Sequence, residues 1–317
     1  MEKESYIKGG ERLVDLQRSH LWLIQDPGRF CFGVDAVLLS AFCEIRAGER
    51  CLDMGTGTGI LPLLLSAKTD AAELIGLEIQ PESADMARRS AEMNIALQAE
   101  QAVAAGTAPD SGDAEACGIA ETASSSADSA EAEPVAVAPG CGNTAKTGIT
   151  ESAPGNKVVQ EAARPVAGRV SIVQGDLREA SAIFGRSRFD VVTCNPPYMT
   201  GGHGIVNPAD AKAIARHEVL CTFEDVAREA AAVLVPGGRF YLVHRPFRLA
   251  ELITTLTRYG LEPKRLRFVH PQVDKEPSLV LLGCVRGGRS RLAVEKPLIL
   301  ADERGETTDE VKALYGF

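Results

Sequence analysis

The chain has 317 residues, 45% of them hydrophobic and 24% charged, with a formal net charge of -9. That suffices for one large domain with a substantial core, or two modest ones. The opening MEKESYIKGGERL carries no apolar stretch and no apolar run reaches membrane-spanning length, so the expectation is a cytoplasmic protein with no membrane association. Eight cysteines include no C-x-x-C pair; this points away from a metal site and toward reduced, mostly buried thiols.

From Arg50 onward, strand and helix patterns alternate. ERCLDMG reads as a short buried strand ending in a glycine turn, and GILPLLLSAK as the helix behind it. AELIGLEI is a second strand, followed by the helix PESADMARRSAEMNIA with Pro81 in its first turn. RVSIVQGD and FDVVTCNPP are the third and fourth strands. FEDVAREAAAVLV is a helix that Pro236-Gly237-Gly238 should close. RFYLVHR, the helix RLAELITTLTRYG, and the strands KRLRFVH and SLVLLGCVRG complete the series. The last two strands are separated by PQVDKEP alone, which suits an antiparallel hairpin rather than a crossover. The expected fold is α/β and Rossmann-like: a seven-stranded, mostly parallel sheet with helices on both faces.

Residues 97–168 break this rhythm. They are rich in Ala, Gly, Ser, Pro, Thr and Glu, contain no aromatic residue, and hold ten acidic against three basic side chains. Such a segment buries too little apolar surface to offset its ordering entropy and reads as a disordered insertion, more simply an inert loop than a partner-binding one. The expected organisation is therefore residues 1–96 and 169–298 as two halves of one domain, interrupted by 97–168, with 299–317 as a C-terminal tail. Residues 237–298 hold twelve basic and five acidic side chains, a local excess that the acidic total conceals. Arg245, Arg248, Lys264, Arg265 and Arg267 are candidates there for phosphate contacts, with a merely solvated face as the competing reading.

Asp53-Met54-Gly55-Thr56-Gly57-Thr58-Gly59 follows the first core strand and opens a helix. Glycines admit positive φ and close backbone approach, and a helix N-terminus attracts an anion, so a carboxylate-bearing cofactor suits this turn. Glu78, at the end of the second strand, is placed to accept hydrogen bonds from ribose hydroxyls. Asp176, at the end of the third, is placed to accept from an adenine amino group. The G-x-G-x-G spacing departs from the G-x-G-x-x-G of dinucleotide sites. A glycine turn with no ligand is the bland alternative.

Asn195-Pro196-Pro197-Tyr198 stands at the end of the fourth strand, on the sheet edge where open α/β folds bind ligands. An amide or aromatic NH2 has a delocalised lone pair. Two acceptors, the Asn195 side-chain oxygen and the Pro196 carbonyl, would grip its two N–H bonds and aim the nitrogen. The prolines stiffen the turn, and Tyr198 offers a face for stacking. A proline-rich turn without chemistry is the competing reading.

Together these residues resemble the class I S-adenosylmethionine-dependent methyltransferases that carry an N-P-P-Y motif. RFCFGVDAVLLSAF, GLEIQPESADMARRSAEMN, the ARHE of 215–218 and VLVPGGRFYLVHRP extend the resemblance to the bacterial tRNA(Val) adenine-N6 methyltransferase family, over about 25–287 except the insertion. The resemblance implies S-adenosyl-L-methionine as cofactor, held by Asp53, Gly55, Gly57, Gly59, Glu78 and Asp176. It implies catalysis by Asn195, Pro196, Pro197 and Tyr198, tRNA as partner, and methylation of an adenine N6 beside the anticodon. Phe30 and Phe32 would cover the cofactor or pack in the core. His203 and His217 flank a glycine-rich loop and read as surface or capping residues. Three alternatives stay open: a protein N5-glutamine methyltransferase, whose usual preceding helical domain the 48 residues before the first core strand leave little room for; a ribosomal RNA base methyltransferase; and a non-catalytic, RNA-associated cofactor-binding scaffold.

Overall fold

The computed structural model describes residues 2–29, 33–104, 169–196 and 221–315. A hairpin of β1 (Arg12–Asp15) and β2 (Trp22–Gln25) precedes α1 (Val34–Phe42). The expected alternation follows: β3 (Arg50–Met54), α2 (Ile60–Lys68), β4 (Glu73–Glu78), α3 (Pro81–Ala104), β5 (Val170–Gln174), α4 (Ala180–Phe184) and β6 (Phe189–Cys194). Next come α5 (Phe223–Val233), β7 (Leu234–His244), α6 (Leu249–Arg258), β8 (Leu261–His270) and β9 (Leu279–Arg286). The chain closes with β10 (Ala293–Val294), β11 (Leu298–Ile299) and α7 (Asp309–Tyr315).

The seven expected strands pair in the order β8-β9-β7-β6-β3-β4-β5, and β10 and β11 both add to β8. The pairs from β5 across to β7 are parallel, and β9 runs antiparallel between β7 and β8. The short PQVDKEP connection thus makes the hairpin expected of it. Near-continuous apolar runs in the central strands follow from cover on both faces. Alternate residues go to opposite cores: Cys51, Val191, Tyr241, Val243 and Leu281 to the side of α1 and α2, and Leu52, Val192, Phe240, Leu242 and Leu282 to the side of α4, α5 and α6.

The structure corrects several boundaries. Helix α3 runs to Ala104, eight residues into the stretch read as insertion, and Leu97 packs against the cluster of Ile24, Met86 and Met93. The rest of that stretch lies outside the described residues. Pro236-Gly237-Gly238 does not simply stop a helix: α5 ends at Val233 and the three residues lie within β7. The register shifts there between Phe189 and Val191. A Cβ on Gly238 would sit 3.1 Å from the Asp190 carbonyl oxygen, so the bulge needs that glycine. The segment 299–317 is no loose tail, since β11 pairs with β8 and Val311 of α7 is buried in the core.

The β1–β2 hairpin was not read from the sequence at all. It docks on α3, where Asn94 takes the Trp22 N–H at 2.8 Å and donates to the Trp22 carbonyl at 2.6 Å, and Ser90 accepts from the Ile24 N–H at 2.9 Å. Side chains of a helix thereby satisfy the open edge of β2, a device that spares the hairpin an exposed edge.

Candidate active site

The carboxyl ends of β3, β4, β5 and β6 lie side by side, and four of the sequence-derived positions meet on that rim. Register sets Met54 beside Leu77 and Cys194, and Glu78 beside Gln174. Asp53 is the last residue but one of β3, Glu78 ends β4, Asp176 follows β5 and Asn195 follows β6.

The glycine turn leaves β3 by folding over β4, with the Gly55 and Thr56 N–H groups both donating to the Leu77 carbonyl at 2.9 and 3.0 Å. Gly57 has φ +58°, and a Cβ there would meet no atom within 4 Å. This glycine is needed for its backbone conformation and leaves an open cradle above the turn. Its N–H donates to Glu78 Oε2 at 2.8 Å, while Glu78 Oε1 accepts from the Gln80 N–H at 2.9 Å. Glu78 is only 5% exposed. It therefore braces the turn, a role the sequence did not suggest.

Asp53 is 2% exposed, and its Oδ1 accepts from the Thr193 hydroxyl at 2.7 Å, tying β3 to β6 just before Asn195. Burial pushes its carboxyl up to about 6, opposed by the Thr56 and Thr193 hydroxyls, with the Glu78 charge adding to the rise. Thr56 lies close enough to favour the charged form without a well-formed hydrogen bond: both Asp53 Oδ2 and Thr56 Oγ1 are buried without a bonding partner among the described residues. Buried polar atoms without partners are costly, and here they mark positions that a polar ligand would satisfy. The open glycine cradle, these two oxygens and the Glu78 carboxylate form a donor and acceptor set that fits a small zwitterionic molecule carrying a ribose.

Asp176 is less available than expected. It caps a short 3-10 turn through the Arg178 N–H at 2.9 Å, and its Oδ2 pairs with the Arg178 guanidinium at 2.9 and 2.5 Å. That pairing holds its carboxyl below the usual range. Arg178 would have to swing aside before Asp176 could take an adenine amino group. Asn195 and Pro196 are half-buried at the end of β6. Pro197, Tyr198, Phe30, Phe32, His203, His217 and the ARHE segment lie outside the described residues.

Three contributors escaped sequence reasoning. Thr193 is one, and an acid–hydroxyl pair on adjacent strand ends has no local signature. Gly76 is another: a Cβ there would stand 2.7 Å from Thr56 Cγ2 and 2.9 Å from Ile172 Cδ1, so the middle of β4 must be glycine for the turn to settle on it. The third is His244, the last residue of β7 and 1% exposed. Its Nδ1 accepts from the Arg245 N–H at 2.8 Å, which leaves the ring proton on Nε2 in the neutral form. Burial, aided by the Arg248 charge, pushes its pKa down to about 4.

The expected phosphate contacts fare unevenly. Arg265 is held by Glu295 at 2.6 Å and Glu44 at 2.7 Å and lies over the Phe42 ring. Arg267 donates to the Lys296 carbonyl at 2.9 Å and to Glu310 at 2.5 Å. Both fasten the C-terminal segment to β8. Arg248 is clamped by Glu251 at 2.8 and 2.5 Å, and Arg245 donates to the Ser278 carbonyl at 3.0 Å. Lys264 lies beside Gly288 at the far end of β8 from this rim. The structure does not gather these five into one basic site.

No family model matches the chain. Its fold is similar to that of a predicted O-methyltransferase, protein Atu636 of Agrobacterium tumefaciens, with a TM-score of 0.54 and 21% identity over 89% of this chain and 95% of that one. The sheet order is that of the Rossmann-like methyltransferase fold, and the chain is an S-adenosylmethionine-dependent methyltransferase. Among curated relatives, the chain is 26% identical over 255 residues (78% of this chain, 72% of the relative) to the tRNA1(Val) (adenine(37)-N6)-methyltransferase of Porphyromonas gingivalis. To the enzyme of that name from Tolumonas auensis it is 23% identical over 259 residues, 81% of this chain and 77% of the relative. Among the described residues no helix is long and apolar enough to cross a membrane and no His, Cys, Asp and Glu group could hold a metal ion.

Proposed function

We propose that the protein methylates the exocyclic N6 amino group of an adenine in tRNA, beside the anticodon. The observation that carries this reading is the position of Asn195-Pro196 at the end of β6, next to the Asp53–Gly57 turn and tied to it through Thr193. The names of the curated relatives support the substrate. The glycine turn, Asp53 and Glu78 would hold the cofactor, which supplies an electrophilic methyl group when bound. Asn195 Oδ1 and the Pro196 carbonyl would each accept one N–H of the target amino group. As positive charge grows on the nitrogen, both interactions strengthen, so they favour the transition state over the bound ground state. Positioning is the remaining contribution: reactants aligned at about 3–3.5 Å gain most of the entropic advantage of a unimolecular step. No strong base is required, which accords with a rim histidine that stays neutral near pH 7.

The test is incubation with labelled S-adenosylmethionine and either total RNA or total protein lacking the modification. Label entering the tRNA pool, at an adenine next to an anticodon, is the expected result. Label in protein, or in ribosomal RNA alone, would refute the assignment. Asn195→Ala should lower single-turnover transfer by about 10²–10³ while calorimetry shows little change in cofactor affinity. Near-normal transfer by this variant would mean that some other residue orients the nitrogen.

A further inference from the structure

Phe247 is 71% exposed, the most exposed large apolar side chain and the only aromatic among those the described residues leave open to solvent. Leaving a phenylalanine in water forgoes most of what its burial would contribute, so its position calls for an explanation. It lies in the 3-10 turn Pro246–Arg248 that directly follows β7.

The turn is pinned on both sides. Pro246 fixes the backbone at its first position. Arg245 donates to the Ser278 carbonyl, the Arg248 N–H donates to the Arg245 carbonyl at 3.2 Å, and Arg248 is gripped by both carboxylate oxygens of Glu251. The ring is therefore presented by a braced backbone rather than left on a loose one.

The turn also stands on the catalytic rim. Strands β6 and β7 are parallel neighbours with Cys194 beside Leu242, so the end of β7 at His244 lies beside Asn195-Pro196. With a strand spacing of about 4.8 Å and about 2 Å of rise per 3-10 residue, Phe247 stands on the order of 10 Å from Asn195.

We infer that Phe247 is a stacking platform for a nucleobase that neighbours the target adenine in a single-stranded RNA loop. A target base drawn out of its stack leaves its neighbour with an uncovered face. A flat aromatic surface beside the reacting rim covers that face without reading its identity. This inference rests on the proposed RNA substrate and makes Phe247 a positioning residue, with no part in the chemistry.

The experiment uses the full chain and an anticodon stem-loop RNA carrying 2-aminopurine next to the target adenine. Binding to the wild-type protein should quench the fluorophore as it stacks. Phe247→Ala should abolish the quench and raise KM for the RNA roughly five- to a hundredfold, the range that one base–aromatic stack represents. Cofactor affinity and turnover at saturating RNA should stay near wild type. Phe247→Tyr and Phe247→Trp should restore both readouts and Phe247→Leu should not. Unchanged KM and quench in Phe247→Ala, or full rescue by Phe247→Leu, would overturn the stacking role while leaving the RNA assignment intact. A wild-type protein that neither labels nor binds RNA would overturn both.

Discussion

Asp53, near the end of β3, and His244, at the end of β7, stand on one rim and titrate in opposite senses. The folded Asp53 carboxyl, at about 6 against 3.8, binds its proton more tightly than in the unfolded chain. Its charging therefore costs stability as pH rises from about 4 to 6. The folded His244, at about 4 against 6.5, binds its proton less tightly, so the stability its neutral burial brings is complete above 6.5 and lost as pH falls toward 4. Each shift of two units or a little more corresponds to on the order of 3 kcal/mol, and the two slopes nearly cancel between pH 4 and 6. Single substitutions should uncover them. Urea unfolding of Asp53→Asn, which keeps the acceptor for Thr193, should show an advantage over wild type that grows from pH 4 to 6. His244→Gln should show a deficit relative to wild type that grows from pH 4 to 6.5. Parallel stability curves for all three proteins would mean that neither group is as desolvated as the fold implies. The neighbouring Cys194 stays a neutral thiol: burial pushes it well up, and it donates to the Met54 carbonyl at 3.2 Å.

Strand β8 shows how an element changes the meaning of its residues. Its arginines read as a basic patch because sequence records charge without its partners. Glu44, Glu295 and Glu310 come from α1's far end and from the C-terminal segment, and folding brings them onto Arg265 and Arg267. These pairs are partly exposed, so each contributes little by itself. The Arg265 guanidinium over Phe42 adds a cation–π contribution. The double variant Arg265→Gln, Arg267→Gln should lose about 1–2 kcal/mol of stability, seen as a lower melting temperature. The salt dependence of its RNA binding should match wild type. A flattened salt slope at unchanged stability would restore both arginines to the RNA interface.

At the scale of the whole molecule, one sheet is assembled from chain on both sides of residues 97–168, because β5 pairs with β4 across that separation. Lengthening a surface connection costs only slowly more closure entropy. Removing residues 105–168 and joining the ends by a short flexible linker should leave melting temperature and methyl transfer close to wild type. A deletion starting at Leu97 should melt lower, since it takes away the last two turns of α3 and a side chain that packs against the cluster of Ile24, Met86 and Met93. A folded 105–168 deletion without transfer activity would show that the segment serves catalysis.

The order of strands and helices from β3 onward, the glycine turn after β3 and the positions of Glu78 and Asn195-Pro196 at strand ends were legible in the sequence, because hydrophobic period, glycine spacing and proline restriction are local properties. So was the terminal hairpin, whose connection is too short to cross the sheet. The β1–β2 hairpin was not, since its open edge is satisfied by Ser90 and Asn94 of a distant helix. The engagement of Asp176 by Arg178, the bracing of Gly57 by Glu78, the link from Thr193 to Asp53 and the pairing of Arg265 and Arg267 were decided only by tertiary structure. Each depends on which groups meet in a low-dielectric rim or edge, and the energy of a charge is set by the partners and solvent around it rather than by its place in the chain.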